Sequence, residues 1–375
     1  MTSSRFAQRL LALGSLVLSL ALAACSECYE AELPKVAAQL LTFGQQDTYT
    51  IERCPYFERP TAVSTLPLRL DEVSGMVTSR QHDDIVWVHN DSGDGPHVYG
   101  VRLSTGELVT TLTLEGAPSR DWEAIAIGDC GDGRECIYVA DIGDNDTVYE
   151  NVRIIRFPEP GIKCAHRTIT NAEVMLAQYD DVEAVDAESM FVVGEDVWIL
   201  SKKFWHSTIY HAPFQASETV RPLRNVGELR WRDLGAKFSV ATAADIHPTE
   251  PRILVRGYGG LSEFIGQEGD SPLEILATVP RNIRTGRELQ AEAVAYTPTG
   301  FVHTAEGKES PIYVGLCSDV DTVPPVIVDD GDGSDDGDGS DDGDGSDDGD
   351  GSDDGDGSDD GDGSDDGDGS GDGDQ

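Results

Sequence analysis

Carboxylates recur at set places along this 375-residue chain. Five segments share a short pattern: Glu72-Val-Ser74-Gly-Met-Val, Asp121-Trp-Glu123-Ala-Ile-Ala, Asp181-Val-Glu183-Ala-Val-Asp, Val240-Ala-Thr242-Ala-Ala-Asp and Gln290-Ala-Glu292-Ala-Val-Ala. Measured from Ser74 the steps are 49, 60, 59 and 50 residues. The polar residues of a segment are two apart, so on a strand they share one face. A second polar set follows the next apolar run of each unit: Asn90, Asp91, Asp94, Asp141, Asp144, Asn145, Lys202, Arg256 and Glu306. Oxygen donors without clustered His or Cys suit Ca²⁺ rather than Zn²⁺. The expected ion is one Ca²⁺, held by some of Asn90, Glu123, Asp141, Glu183 and Glu292. Beside it, Asp121 or Glu123 would act as base, and Lys202 or Arg256 would steady developing negative charge. A structural reading stands beside this one. Asp and Asn also make turns, and a repeated Glu can bond a neighbouring backbone N–H.

The elements that would position these residues are strands. Each motif is followed by a second apolar run: Ile85–Val88, Ile137–Val139, Val197–Leu200, Ile253–Val255 and Phe301–Val302. Third runs follow near Tyr99, Ile155, Tyr210, Phe264 and Tyr313. Fourth runs lie at Leu108–Leu114, Ala172–Gln178, Val220–Leu229 and Leu273–Val279, and the last unit lacks one of its own. The alternating stretch Thr61–Leu70 could supply it and close a ring. Four short strands about every 50 residues, with Gly, Asp and Pro between, are what a propeller blade needs. The fold class expected is all-β: a β-propeller of five or six four-stranded blades over residues 61–317, the sixth blade falling within 203–236. A β-sandwich, or two of them, is the rival, but sandwiches need no recurring first-strand motif. In a blade, the start of strand one and the end of strand two meet at one mouth of the central channel, so both polar sets converge there.

Glu72-Val-Ser74-Gly, Trp87-Val-His-Asn90-Asp91-Ser-Gly-Asp94, Asp121-Trp-Glu123 and Tyr138-Val-Ala-Asp141-Ile-Gly-Asp144-Asn145 together resemble a family of secreted bacterial propellers of uncharacterised role. More distantly they are similar to the TolB-like propellers, including the SdiA-regulated and phytase-esterase-like groups. The resemblance covers roughly residues 65 to 316. It implies the fold; propellers host many functions, so it does not imply an activity.

Both ends of the chain read differently from the middle. Arg5 and Arg9 precede an apolar run from Leu10 to Ala24 that ends in Leu22-Ala23-Ala24-Cys25. This is the layout of a secretion signal over residues 1–24, and it resembles a bacterial lipobox, with lipidation expected at Cys25. Residues 25–60 would be a tether. Such a chain is anchored rather than spanning, with the outer membrane the expected destination. Six further cysteines fit an oxidising compartment, and Cys130 and Cys136 bracket a stretch that could close a small loop. From Asp329 the sequence Asp-Asp-Gly-Asp-Gly-Ser repeats seven times. Without apolar residues to bury, this part of residues 318–375 is expected to be a disordered polyanion that condenses cations only weakly. The chain's formal charge of −43 argues against nucleic acid as a partner.

Two functions follow. The favoured one is a lipid-anchored envelope module that binds a small molecule, glycan or envelope protein, with Ca²⁺ at the channel mouth. The alternative is a calcium-dependent hydrolase of a lactone, ester or phosphoester. No Gly-x-Ser-x-Gly elbow is present, and the eight histidines are scattered.

Overall fold

Second strands such as Ile85–Asn90 and Asp196–Ser201 are apolar on both faces, so each must be covered from both sides. The computed structural model solves this with five blades in a ring. It describes residues 54–318, except Ser92, Glu183 and Arg287. The expected lipidation site Cys25 and the acidic repeats lie outside the described residues, as does Glu183.

Two strands precede the ring, β1 (Tyr56–Phe57) and β2 (Thr61–Thr65). Blade one is β3 (Val73–Thr78), β4 (Ile85–Asn90), β5 (His97–Arg102) and β6 (Leu108–Leu114). Blade two is β7 (Trp122–Asp129), β8 (Glu135–Asp141), β9 (Val152–Pro158) and β11 (Glu173–Tyr179); between the last two, β10 (His166–Ile169) crosses to pair in parallel with β6. Blade three is β12 (Ala187–Val193), β13 (Asp196–Ser201), β14 (His206–Pro213) and β15 (Ser217–Arg230). Blade four is β16 (Ala241–Ile246), β17 (Arg252–Gly257), β18 (Gly260–Ile265) and β19 (Arg281–Ile283). Blade five is β20 (Ala293–Thr297), β21 (Gly300–Thr304) and β22 (Pro311–Ser318), completed by β2, which pairs antiparallel with β22. The innermost strands β3, β7, β12, β16 and β20 each touch the next, and β20 returns to β3, so the ring is closed. The stretch Thr61–Leu70 thus gives the last blade its missing strand.

Two expectations are corrected. Residues 203–236 hold no sixth blade; they form β14, the 14-residue β15 and the short helix Trp231–Leu234 of blade three. Leu273–Val279 is not a strand either. Pro272–Leu276 is a helix, started by a capping box between Ser271 and Glu274 with Pro272 in its first turn, an arrangement that satisfies the free N–H groups of a helix start. The fourth strand of blade four is the short β19 beyond it.

The core is divided among the seams between blades. Trp87, Trp122, Ile137 and Phe157 fill the seam of blades one and two. Tyr138, Met175, Met190 and Tyr210 fill that of two and three. Phe191, Trp198, Trp231 and Phe264 fill the third. Leu254, Tyr296 and Phe301 fill the fourth, and Val73, Val88, Tyr99 and Val302 the fifth. Gly75 sits where the first seam is tightest. A Cβ there would lie 2.5 Å from Nε2 of His89 and 3.0 Å from the backbone N of Ile125. The variant Gly75→Ala is expected to lose about 1–3 kcal/mol through overpacking, a drop of about 5 °C in Tm by calorimetry.

Two disulfides join described residues, Cys130–Cys136 within the β7–β8 hairpin and Cys54–Cys317 beside the β1–β22 pair. Cys164 is disulfide-bonded as well. β22 runs away from the channel mouth and β2 runs towards it, so the described chain begins and ends at the opposite end of the channel. No helix among the described residues is long and apolar enough to cross a membrane.

Candidate functional site

The recurring first-strand motif corresponds to a β-bulge. Pairing with the second strand slips by one residue at Ser74 in blade one, Glu123 in blade two, Glu188 in blade three and Thr242 in blade four. In blade five, Glu292 directly precedes β20. A bulge re-aims the extra side chain, and these five are almost fully buried, each at most 4% exposed. The hydroxyls bind the next blade. Ser74 Oγ donates to the carbonyl O of Glu123 at 3.1 Å and to its Oε2 at 2.7 Å. Thr242 Oγ1 donates to the carbonyl O of Ala291 at 2.5 Å.

Three buried carboxyls remain at this mouth. Lys202, at the end of β13, pairs with Oε1 of Glu188, whose Oε2 is buried without a partner. Tyr258 donates its hydroxyl to Oε1 of Glu292 at 2.7 Å. Gln290 donates to Glu306 at 2.6 Å. Burial drives Glu123 well above the usual carboxylate range, and the charge of Glu188 adds to it, while the Ser74 hydroxyl pulls the other way. Burial pushes Glu188 up to about 8, and Glu292 outweighs part of what the Lys202 ion pair restores. Lys202 itself stays charged: the facing Glu188 raises its pKa in spite of burial. Glu306 is pushed up to about 8 by burial and by its hydrogen bond to Glu292. Asp121 and Asp186 are raised, chiefly by burial. These groups feel one another because the bulges gather them. Charges brought this close in a poorly solvated space hold protons that they would release in water.

Gly143 brings the β8–β9 connection against the same carboxyls. A Cβ on it would stand 2.5 Å from both Oδ2 of Asp121 and Oε1 of Glu123. The mouth is therefore walled on this side by backbone rather than by a side chain.

The expected site residues are only partly assembled. Glu123, Glu292, Lys202 and Asp121 meet at the mouth, as expected from their places in the blades. Asp141 is fully buried and serves structure: Oδ1 accepts the backbone N–H of Arg120 and Asp121 at 3.1 and 2.8 Å, and Oδ2 takes Arg153 at 3.2 Å. Asn90 donates to the carbonyl O of Arg69 at 3.0 Å and to Asp94 at 3.1 Å, and its Oδ1 is buried without a partner. Arg256 is drawn away from the channel. It is buried between blades four and five, where Glu288 pairs with it and faces Nδ1 of His303 at 3.2 Å. The place assigned to Glu183 belongs to Glu188, because the inner strand of blade three begins at Ala187. Asp186-Ala-Glu188 repeats the spacing of Asp121-Trp-Glu123, and that signal stood in the sequence five residues beyond Asp181-Val-Glu183. Tyr258 and Glu288 had no repeat to mark them. Among the described residues, no three His, Cys, Asp or Glu side chains lie close enough to cage a metal ion.

No protein-family model matches the chain, and no curated protein matches it. Among solved structures it is similar to the glutaminyl cyclase of Myxococcus xanthus, with 11% identity and a TM-score of 0.41 over 70% of this chain and 97% of that one. It is also similar to a chain of a nidogen/laminin complex, with 12% identity and a TM-score of 0.37 over 66% of this chain and 77% of that one.

Proposed function

We propose that the protein is a ligand-binding module of the bacterial envelope whose channel mouth takes a positively charged group. The observation that carries this reading is Oε2 of Glu188, a buried carboxyl oxygen without a partner, standing beside the buried side chains of Glu123 and Glu292. A cation placed there relieves the repulsion and gives that oxygen a donor. An ammonium or guanidinium group needs one or two carboxylates. A Ca²⁺ ion, the other candidate, needs six to eight oxygens, and Glu123, Glu188 and Glu292 would have to close around it. The hydrolase reading is weaker on this geometry, since Lys202 and Arg256 are committed to Glu188 and Glu288, and burial raises both candidate bases, Asp121 and Glu123. The envelope location rests on the lipobox-like end at Cys25 and on the disulfides, which suit an oxidising compartment.

Titration calorimetry on the full-length chain tests the cation, with spermidine and CaCl₂ as probes. The acidic repeats bind both weakly in every variant, so the comparison with Glu188→Gln isolates the mouth. Wild type is expected to show an added spermidine component, weakened about tenfold in Glu188→Gln, the loss of one charge-assisted hydrogen bond. A calcium-only component lost in the same variant would assign the mouth to the metal. Matching isotherms for both proteins would remove the reading.

A further inference from the structure

We infer that the mouth is a docking face for a basic peptide segment that carries aliphatic or aromatic side chains beside its charges. The inference rests on the cation-binding reading and names the partner class for that same mouth. Large apolar side chains stand exposed in four of the connections at this end: Val148 and Tyr149 after β8, Val182 before β12, Phe204 and Trp205 after β13, and Leu289 before β20. Leu289 is 85% exposed, Phe204 66% and Val148 63%. Apolar side chains gathered around a polar centre are the anatomy of a recognition surface rather than of a solvated loop.

The aromatic pair is also held in place. Trp205 has a φ of +67°, the left-handed region that a bulky residue enters only when its surroundings enforce it. Its N–H donates to the carbonyl O of Ser239 at 2.6 Å, and its carbonyl O accepts from the N–H of Trp231 at 3.1 Å. Phe204 meets its ring edge to face at 5.1 Å. Strain that fixes two exposed rings beside Lys202 and Glu188 lowers the ordering cost of binding. Two of the rim's rings already take a cation on their faces: the Arg120 guanidinium lies 3.7 Å from the centroid of Tyr149 and that of Arg232 5.6 Å from the centroid of Trp205.

Charge selects the occupant. A second copy of the chain brings the same acidic mouth and is repelled. An anionic bilayer is repelled likewise. A segment of lysines or arginines interleaved with apolar residues answers both features at once, its charges over Glu188 and the buried carboxyls and its apolar side chains on the rim.

Fluorescence anisotropy on the full-length protein tests this, with two labelled peptides of equal charge, one alternating Lys and Leu and the other Lys and Ser. An excess of unlabelled Asp-Asp-Gly-Asp-Gly-Ser repeat peptide masks binding to the chain's own repeats. The Lys-Leu peptide is expected to bind wild type about tenfold tighter than the Lys-Ser peptide. The double variant Phe204→Ser/Trp205→Asn, and separately Leu289→Ser, should shrink that preference while unfolding close to the wild-type temperature. Asn is chosen because it tolerates positive φ. Equal affinity of wild type for the two peptides overturns the inference. If spermidine still binds in that case, only the apolar partner class is wrong; if spermidine fails too, the cation reading has failed beneath it. Sedimentation of wild type with phosphatidylcholine vesicles, lost in the double variant, would overturn it in favour of a membrane surface.

Discussion

Replacing Cys54 and Cys317 together by serine is expected to lower the Tm of the full-length chain by roughly 10–15 °C. The ring of blades is closed by β2 and β1 lying against β22. The disulfide holds that junction across a sequence separation of 263 residues. A crosslink over so long a loop removes much of the freedom of the unfolded chain, a stabilisation of about 5–6 kcal/mol in the chain-entropy view. The strands it guards are short: β1 has two residues and β2 five. Other bonds at the junction are few. Arg281 donates to the carbonyl O of Cys54 at 3.0 Å and pairs with the buried Glu263. The reduced ring should therefore open at this seam first. Differential scanning calorimetry with and without reductant measures the shift, and hydrogen exchange locates it. A Tm unchanged within two degrees, or β1 and β2 still as protected as β20 in the serine variant, would mean that the strand pairs close the ring unaided. Cys130→Ser/Cys136→Ser is the internal control. Its sequence separation is only 6, so the expected loss is smaller.

How much of this was legible beforehand depended on which physical constraint each segment carried. Second strands such as Ile85–Asn90 are buried on both faces, so they stand out as short continuous apolar runs. The closing strand at Thr61–Thr65 was legible because one unit lacked a partner. The inner strands were legible in type but not in register. A bulge puts the functional side chain on an extra residue, and Asp-x-Glu occurs twice between Asp181 and Glu188. Spacing alone cannot choose between the two copies. Arg256 was misplaced for a related reason: alternate side chains of β17 face the seams on its two sides, and the position matching Lys202 at the mouth is Tyr258, two residues further on. The helix at Pro272–Leu276 was misread because its apolar residues also suit a strand; the capping box of Ser271 and Glu274 is what separates the two. The Cys54–Cys317 pair, 263 residues apart, left no local trace.

The second large effect is a fall in stability above neutral pH that a bound cation reverses. Glu188 and Glu306 sit near 8 in the folded chain, and burial raises Glu123 well above its ordinary value. In the unfolded chain such carboxyls titrate near 4.5. A carboxyl raised on folding binds its proton more tightly when folded, so its share of stability is full below about 4.5 and is lost as pH climbs to about 8. The buried histidines slope the other way. His89 and His247 are lowered by burial to about 4, and His303 is lowered as well. They favour the folded state more as pH rises towards 6.5, and are silent above it. The window from 6.5 to 8.5 therefore belongs to the carboxyls. Glu188, 3% exposed, should alone account for about 2 kcal/mol across it, close to 1.4 kcal/mol per pH unit until its own pKa is reached. That corresponds to a fall in Tm of about 4–8 °C. Glu188→Gln should flatten the slope, because glutamine keeps an oxygen for Lys202 but has no proton to lose. Spermidine should flatten it too. Its binding needs the ionised carboxylates, so affinity should rise from pH 6.5 to 8.5, and at pH 7 each binding event should release protons. Calorimetry in buffers of different ionisation enthalpy counts them. Spermidine binding that releases no protons and ignores pH would place the cation away from Glu188, whatever its affinity.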